Sequence, residues 1–181
     1  MTEPKSRFDV LGQLASLRRY AISLTRDPAD AEDLVHDTLV RAYERRGTFH
    51  QGGNLKSWLL SILHNVHVDT ARSRRAASFR EQSAASLTDA EAPPAQDHVV
   101  RLGQIRQAFF NLPEEQRAAL SLVAIEGLSY QEAADTLAIP LGTLMSRIGR
   151  ARARLRELEE AETVPSRGHL RIVGGSNDAS A

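Results

Sequence analysis

The chain has 181 residues, of which 41% are hydrophobic and 25% are charged, and its formal net charge at pH 7 is zero. This composition is typical of a soluble globular protein and excludes a disordered chain. The absence of cysteine excludes disulfides and thiolate metal sites. Aromatic residues are scarce, whereas alanine, leucine and arginine are abundant, which predicts an all-α fold. We expect a cytoplasmic protein, because the N-terminus lacks the apolar run of a signal peptide and no segment approaches the length of a membrane span.

Three helices are predicted before residue 80. The first covers about residues 9–25, and the Asp27-Pro28 pair ends it. The second begins at the N-cap Asp30, and its apolar face consists of Ala31, Leu34, Val35, Thr38 and Ala42. The third covers about residues 54–75, and its apolar face consists of Leu55, Trp58, Leu59, Ile62, Leu63 and Val66. The opposite side of that helix carries Ser57, Ser61, His64, Asn65 and Arg72. Together these helices predict a first domain over residues 8–76.

A linker is predicted over residues 77–99. Its central part is small, polar and acidic and contains the pair Pro93-Pro94. Such a segment cannot bury enough apolar surface to offset the entropy lost on ordering, so we expect it to be flexible. The tail over residues 161–181 has little hydrophobic periodicity and is expected to be disordered.

A second domain is predicted over residues 100–160. Its core is expected to begin with Leu102, Ile105 and Phe109, and Gly127 fits the end of a helix that starts near residues 112–115. A capping box then follows, formed by Ser129 and Glu132. The helix that it starts is broken at residues 138–140, before a longer helix begins. This order predicts a helix-turn-helix.

The last helix has a predicted buried seam and an exposed basic side. The seam consists of Leu141, Leu144, Ile148, Ala151, Leu155 and Leu158. The opposite side carries Ser146, Gly149, Arg150 and Ala153, flanked by Thr143, Arg147, Arg152 and Arg154. Short side chains around one arginine suit a helix that enters a DNA major groove about 12 Å wide. The alternative is a solvated basic face on an ordinary helical hairpin.

Three blocks of the chain, in the same order, resemble the extracytoplasmic-function group of the bacterial sigma-70 superfamily. They are AEDLVHDTLVRAYERRGTF, GNLKSWLLSILHNVHVDTARSRR and LPEEQRAALSLVAIEGLSYQEAADTLAIPLGTLMSRIGRARARL. The resemblance covers about residues 10–158. It implies an initiation subunit of RNA polymerase with a sigma-2 domain, a flexible linker and a sigma-4 domain. It also implies core polymerase, promoter DNA and an anti-sigma factor as partners, with no cofactor and no enzymatic activity.

The resemblance assigns roles to three groups of residues. The surface that contacts core polymerase would consist of Asp33, His36, Asp37 and Arg41. The surface that recognises the minus-10 element would consist of Phe49, Asn65, Arg72, Arg74 and Arg75, with Phe49 and Asn65 lining a pocket for a flipped base. The surface that recognises the minus-35 element would consist of Thr143, Ser146, Arg147, Arg150 and Arg152. In the linker, Asp89 and Glu91 could imitate phosphate charge near the RNA exit path.

Several residues depart from the family pattern or have a second interpretation. Glutamine is usual where His36 stands, and lysine or arginine is commoner where Met145 stands. The apolar position of Trp58 favours core packing over base stacking. Asp37 and Arg41 could instead form an intrahelical ion pair.

Two other function classes remain open. The first is a sigma-like decoy that binds an anti-sigma factor without recognising promoters. The second is a metal-dependent enzyme, suggested by His64 and His67, which lie three residues apart on one helix but lack a convincing third ligand.

Overall fold

The computed structural model describes residues 9–50, 52–78 and 97–163, and every regular element in these ranges is helical. The α-helices of this part of the chain are α1 (Leu14–Thr25), α2 (Pro28–Glu44), α3 (Leu55–Ser78), α4 (Asp97–Phe110), α5 (Glu114–Leu120), α6 (Tyr130–Thr136) and α7 (Leu141–Thr163). Two 3-10 turns, Leu11–Gln13 and Arg46–Thr48, and a π-helical turn, Ser121–Ile125, lie between them. The expected all-α fold is confirmed. Within the described ranges, none of the helices has the length and apolarity needed to cross a membrane.

The predictions for the linker and the tail fall largely outside these ranges. Because α3 continues to Ser78 and α4 begins at Asp97, the first and last residues of the predicted linker are helical. Residues 79–96, which include Asp89 and Glu91, and residues 164–181 lie outside the described part of the chain.

The junction between α1 and α2 differs from the prediction by three residues. Asp27, and not Asp30, is the N-cap of α2, because its carboxylate accepts hydrogen bonds from the backbone N–H groups of Ala29 and Asp30 at 2.8 and 2.9 Å. Pro28 then occupies the first helical position, where its fixed φ fits and its missing N–H costs nothing. Arg26 ends α1 in the left-handed conformation, with a φ of 65°.

Helices α1, α2 and α3 form the first helical unit. The predicted apolar face of α2 is confirmed, since all five of its members are buried. Its buried partners are Leu17, Tyr20, Ala21 and Leu24 of α1 and Leu59, Leu60, Ile62, Leu63 and Val66 of α3. Leu60 is fully buried although it lies outside the predicted apolar face of α3.

Helices α4 to α7 form the second helical unit. Its capping box is confirmed, because the Ser129 hydroxyl accepts from the backbone N–H of Glu132 and the Glu132 carboxylate accepts from that of Ser129. The chain turns between α6 and α7 at Ala138, whose φ is 51°. Gly127 ends the preceding turn with a φ of 70°, as the predicted helix end requires.

The apolar contacts of the second unit differ from the prediction at three positions. Leu144, Ile148 and Ala151 of the predicted α7 seam are buried. Leu141, one turn earlier at the start of α7, is 39% exposed, so the seam begins later than expected. On α4, the exposed residues Leu102 (67%) and Ile105 (49%) are not core residues, whereas Phe109, near the C-terminal end of the helix, packs against the core.

The two helical units pack directly on each other. Helix α1 contacts α5, and helix α3 contacts α6. The buried apolar side chains of both units therefore belong to one hydrophobic cluster and not to two separate small cores. This packing places α6 against the face of α3 that carries Ser57 and Ser61.

Candidate nucleic-acid interface

An aromatic cavity of about 380 Å³ lies at the N-terminal end of α3. The rings of Phe49 and Trp58 form one side of it, with centroids 5.4 Å apart and planes inclined by 55°. The loop before α3 is tightly folded here, because Gly52 has a φ of 98° and a Cβ atom on Gly53 would lie 3.2 Å from a backbone oxygen. The first unit contributes Phe49, His50, Gly53, Asn54, Ser57, Trp58 and Ser61 to the lining. The cavity therefore combines stacking surfaces with short polar side chains.

The second unit closes the other side of this aromatic cavity, which the sequence did not suggest. Glu132, Asp135 and Thr136 of α6 complete the lining. The amide of Asn54 donates to the Glu132 carboxylate at 2.6 Å, and the hydroxyl oxygens of Ser57 and Thr136 lie 3.3 Å apart. Hydrogen bonds from the backbone of Ser129 and the side chain of Asn54 lower the pKa of Glu132, so α6 presents a charged carboxylate beside the cavity.

The other residues predicted to recognise the minus-10 element lie further along α3. Asn65 is exposed one helical turn after Ser61, outside the lining of the aromatic cavity. Arg72 is exposed, and a guanidinium nitrogen of Arg74 lies 3.6 Å from a carboxylate oxygen of Asp30. The side chain of Arg75 lies outside the described part of the structure. The expected pocket lined by both Phe49 and Asn65 is therefore not seen, because only Phe49 lines the aromatic cavity.

A buried carboxylate joins the two helical units. The side chain of Glu126 has no exposed surface, and its two oxygens accept hydrogen bonds from Arg19 at 3.0 and 2.9 Å. The ammonium group of Lys56 lies 3.2 Å from the same carboxylate and also donates to the backbone oxygen of Glu126. Glu126 belongs to the second unit, whereas Arg19 and Lys56 belong to the first. These two ion pairs therefore join the units.

Arg117 forms a second polar link between the units. It is almost completely buried at 1% exposure and donates to the backbone oxygens of Ser23 and Leu24, at the end of α1, and of Leu112. Burial lowers the pKa of Arg117 to about 10, so the guanidinium keeps its charge at neutral pH. The last carbonyls of α1 are thus satisfied by a side chain from α5.

His64 and His67, the residues behind the metal-enzyme hypothesis, have different partners. The hydroxyl of buried Tyr20 lies 3.1 Å from Nδ1 of His64, and burial lowers the pKa of His64 to about 4. Nε2 of His67 lies 2.8 Å from the carboxylate of Glu114 on α5. In the described ranges, no group of three or more histidine, aspartate or glutamate side chains could hold a metal ion.

The predicted polymerase-contacting residues lie on the outer side of α2. Asp33, His36 and Asp37 are exposed. Arg41 is partly buried and forms an ion pair with Asp69 of α3 at 3.2 Å, which competes with the intrahelical pair to Asp37 that the spacing allowed. Because α2 packs on α1 and α3 through its opposite face, this outer side remains open while the two units are in contact.

Helix α7 presents most of its predicted DNA-contacting residues to solvent. Thr143, Ser146, Arg150 and Arg152 are exposed. Arg147 is the exception, because it forms an ion pair with Glu115 of α5 at 2.8 Å and its side chain is only 22% exposed. No neighbouring side chain approaches the Cβ position of Gly149, so the middle of this face has room for a groove wall.

A helix-turn-helix with an exposed basic second helix, joined to a helical unit with an aromatic cavity, defines a nucleic-acid-binding protein. Family models described as "Sigma-70 region 2" and "Sigma-70, region 4" match residues 13–77 and 102–155. The chain therefore belongs to the sigma-70 family and, by its similarity to curated relatives, to the extracytoplasmic-function (ECF) sigma factors.

Two curated relatives illustrate this similarity. The ECF RNA polymerase sigma factor EcfG of Rhodopseudomonas palustris is 36% identical over 174 residues, which cover 94% of this chain and 96% of EcfG. The ECF RNA polymerase sigma factor SigE of Mycolicibacterium smegmatis is 39% identical over 147 residues, covering 77% of this chain and 55% of SigE. The first of these similarities extends over nearly the full length of both proteins.

Chains in two solved complexes are also similar to this one. The sigma factor RpoE of Bartonella quintana, solved with the anti-sigma factor NepR, superposes with a TM-score of 0.74 at 36% identity and covers 85% of this chain and 96% of that one. CnrH, solved with the cytosolic domain of CnrY, superposes with a TM-score of 0.61 at 28% identity and covers 85% of this chain and 86% of that one.

Proposed function

We propose that this sigma factor binds core RNA polymerase and directs it to promoters whose minus-10 and minus-35 elements are recognised by the first and second helical units, respectively. The observation that carries this proposal is the pairing of two family regions, in the expected order, with two different nucleic-acid-compatible surfaces. One surface is an aromatic cavity and the other is an exposed basic helix. The chain acts without catalysis of its own, in the cytoplasm with the polymerase.

The aromatic cavity fits an unpaired base better than duplex DNA. Stacking on an aromatic ring contributes about 1 to 3 kcal/mol per base, which is enough to offset the few kcal/mol that unstacking costs. Phe49 and Trp58 offer such rings, and Asn54, Ser57 and Ser61 offer hydrogen-bonding groups beside them. Asn65, Arg72, Arg74 and Arg75 would guide the rest of the single strand along α3.

Helix α7 fits the major groove. Arg150 is exposed and lies on the opposite side of α7 from buried Ile148, so we expect its guanidinium to face a bound duplex. Thr143, Ser146, Arg147 and Arg152 would contact bases or phosphates around it. To contact DNA, Arg147 must either break its ion pair with Glu115 or keep that pair while it binds.

The outer side of α2 would contact polymerase through Asp33, His36, Asp37 and Arg41. An anti-sigma factor is proposed as a further partner, because the similar sigma factor RpoE was solved in complex with the anti-sigma factor NepR. The proposal of an anti-sigma partner does not depend on promoter recognition.

The decisive experiment is transcription in vitro by core polymerase with the full-length chain on a library of random promoters. We expect run-off transcripts whose start sites lie downstream of two enriched motifs, while core polymerase alone enriches none. If the chain binds core polymerase but enriches no motif, promoter recognition is excluded. If it binds neither polymerase nor DNA but still binds an anti-sigma factor, it is a decoy.

A further inference from the structure

Helix α7 carries exposed apolar side chains at its N-terminal end, among the residues proposed to contact DNA. Met145 is 56% exposed, and Leu141, one turn earlier, is 39% exposed. The DNA contacts proposed above for this helix are made by hydroxyl and guanidinium groups, so none of them uses an apolar side chain. The position of Met145 on the helix indicates what such a side chain can contact.

Met145 projects from a bare part of the helix surface. Gly142, three positions earlier, and Gly149, four positions later, lie within about 60° of it around the helix axis. A Cβ atom at either glycine would meet no neighbouring atom within 4 Å. In the part of the chain that the structure describes, this side of α7 is therefore uncovered around both glycines. Long helical side chains lean toward the N-terminus, so Met145 extends over Gly142 toward the start of the helix.

The N-terminal part of the second helix is where a helix-turn-helix contacts base edges. Met145 lies four positions after Leu141, the first residue of α7. The next residue, Ser146, is exposed and lies on the opposite side of the helix from buried Leu144. Met145 therefore flanks the side of α7 that faces the groove, close enough for its long, unbranched side chain to reach a base edge.

The chemistry of Met145 restricts what it can recognise. A thioether has no charge and no hydrogen-bond donor, so it cannot bind a phosphate. The one apolar group that a base pair presents in the major groove is the C5-methyl group of thymine. Methionine is flexible and polarizable and fills irregular gaps. The absence of side chains at Gly142 and Gly149 leaves such a gap between α7 and the groove.

We infer that Met145 contacts the C5-methyl group of a thymine in the minus-35 element and makes this sigma factor prefer an A·T pair at that position. This inference rests on the proposed function and adds an apolar base contact to it. Arg150 and Met145 would then recognise different features of one element, a polar base edge and a methyl group. The preference for thymine would depend on a side chain that carries no charge.

The test removes the methyl group from the DNA without changing its base pairing. Holoenzyme assembled from core polymerase and the full chain is bound to duplexes carrying the selected minus-35 element, in which each thymine on either strand is replaced in turn by deoxyuridine. We expect one replacement to weaken binding about fourfold, which corresponds to about 0.8 kcal/mol for one buried methyl group. Met145→Ala should bind the thymine and deoxyuridine duplexes equally, whereas Met145→Leu should keep at least a twofold difference.

Two controls separate this contact from general effects on binding. Leu102→Ala removes an exposed apolar side chain from α4 of the same unit and should keep the fourfold difference between thymine and deoxyuridine. Arg150→Ala should weaken binding to both duplexes and also keep the difference between them. Because Met145 is exposed, Met145→Ala should retain the helical content of the wild-type chain, measured by circular dichroism.

The outcomes distinguish this inference from the proposed function. If the holoenzyme prefers a minus-35 sequence but tolerates deoxyuridine at every position, or if Met145→Ala keeps the fourfold difference, only the inference is overturned. A selected minus-35 element without any A·T pair has the same consequence. If the holoenzyme shows no preference among minus-35 sequences, the proposed function fails and the inference fails with it.

Discussion

Arg19 and Glu126 lie 107 positions apart in the chain, and the guanidinium of one donates to both carboxylate oxygens of the other at 3.0 and 2.9 Å. The Arg19 side chain keeps 49% of its surface exposed, whereas that of Glu126 keeps none. Loss of Glu126 therefore removes a buried charge together with its bonds, whereas loss of Arg19 leaves that charge to Lys56 alone. Because this pair joins the two helical units, its strength contributes to the stability of the contact between them.

Arg117→Met is expected to lower the free energy of unfolding by about 3 kcal/mol, because it leaves the buried carbonyls of Ser23, Leu24 and Leu112 without their donor. Urea denaturation followed by circular dichroism measures this change. Arg18→Met is the control, since its exposed ion pair with Glu32 contributes less than about 1 kcal/mol. Equal losses in the two variants would contradict a special role for Arg117.

Stability is expected to fall between pH 6.5 and pH 4 because of His64. Burial, together with the neighbouring His67, lowers the pKa of His64 in the folded chain to about 4, below its ordinary value of 6.5. In this window the unfolded chain binds a proton that the folded chain does not, so acid favours unfolding, by up to about 3 kcal/mol at pH 4. His64→Gln removes this titration while keeping a partner for Tyr20, and denaturation at both pH values should show a smaller loss in the variant. An identical pH dependence would count against a neutral, half-buried His64.

Asn65→Ala and Asp37→Ala are expected to fail at different steps. Asn65 lies on the surface proposed for the melted strand, so its loss should reduce open-complex formation, detected by permanganate footprinting, and leave core binding intact. Asp37 lies on the outer side of α2, so its loss should weaken core binding, measured by fluorescence anisotropy. If both variants lose both activities equally, misfolding and not a local contact explains the defects.

Arg150→Ala and Arg152→Ala are expected to separate base recognition from phosphate binding. Arg150 is exposed and, two positions after buried Ile148, lies on the opposite side of α7 from that residue, so its loss should cost about 1 to 3 kcal/mol at one or two base pairs and relax the preference there. Arg152 lies one helical turn after buried Ile148 and so at the edge of the buried side, where it should contact a phosphate. Its loss should weaken all sequences by a similar factor and lower the salt slope by about one. Holoenzyme binding to minus-35 variants checks both. A wild-type ranking of sequences in Arg150→Ala would show that this helix faces another way.

Local features of the sequence were sufficient to predict the helices. The five buried residues of α2 follow from their spacing alone, because a helix of 3.6 residues per turn places them on one face. The capping box at Ser129 is equally local, since both hydrogen bonds join residues three apart. The family and the helix-turn-helix also followed from short blocks of residues.

Contacts between residues far apart in the chain were decided only by the tertiary structure. Periodicity placed Ser57, Ser61 and His64 on a polar, solvent-facing side of α3. Instead, α6 packs against Ser57, and His64 becomes a half-buried hydrogen-bond partner of Tyr20. Leu60, which lies outside the predicted apolar face, is also fully buried in the common hydrophobic cluster.

The sequence by itself determined which residues are helical, which helix faces are apolar and which family the chain resembles, because these depend on neighbours within a few positions. It contained no local signal for the burial of Arg117 and Glu126, whose partners lie 94 and 107 positions away. A charged side chain is normally exposed, and only a partner brought close by folding compensates for its loss of water. The closed contact over the aromatic cavity therefore became visible only when the two units were placed together.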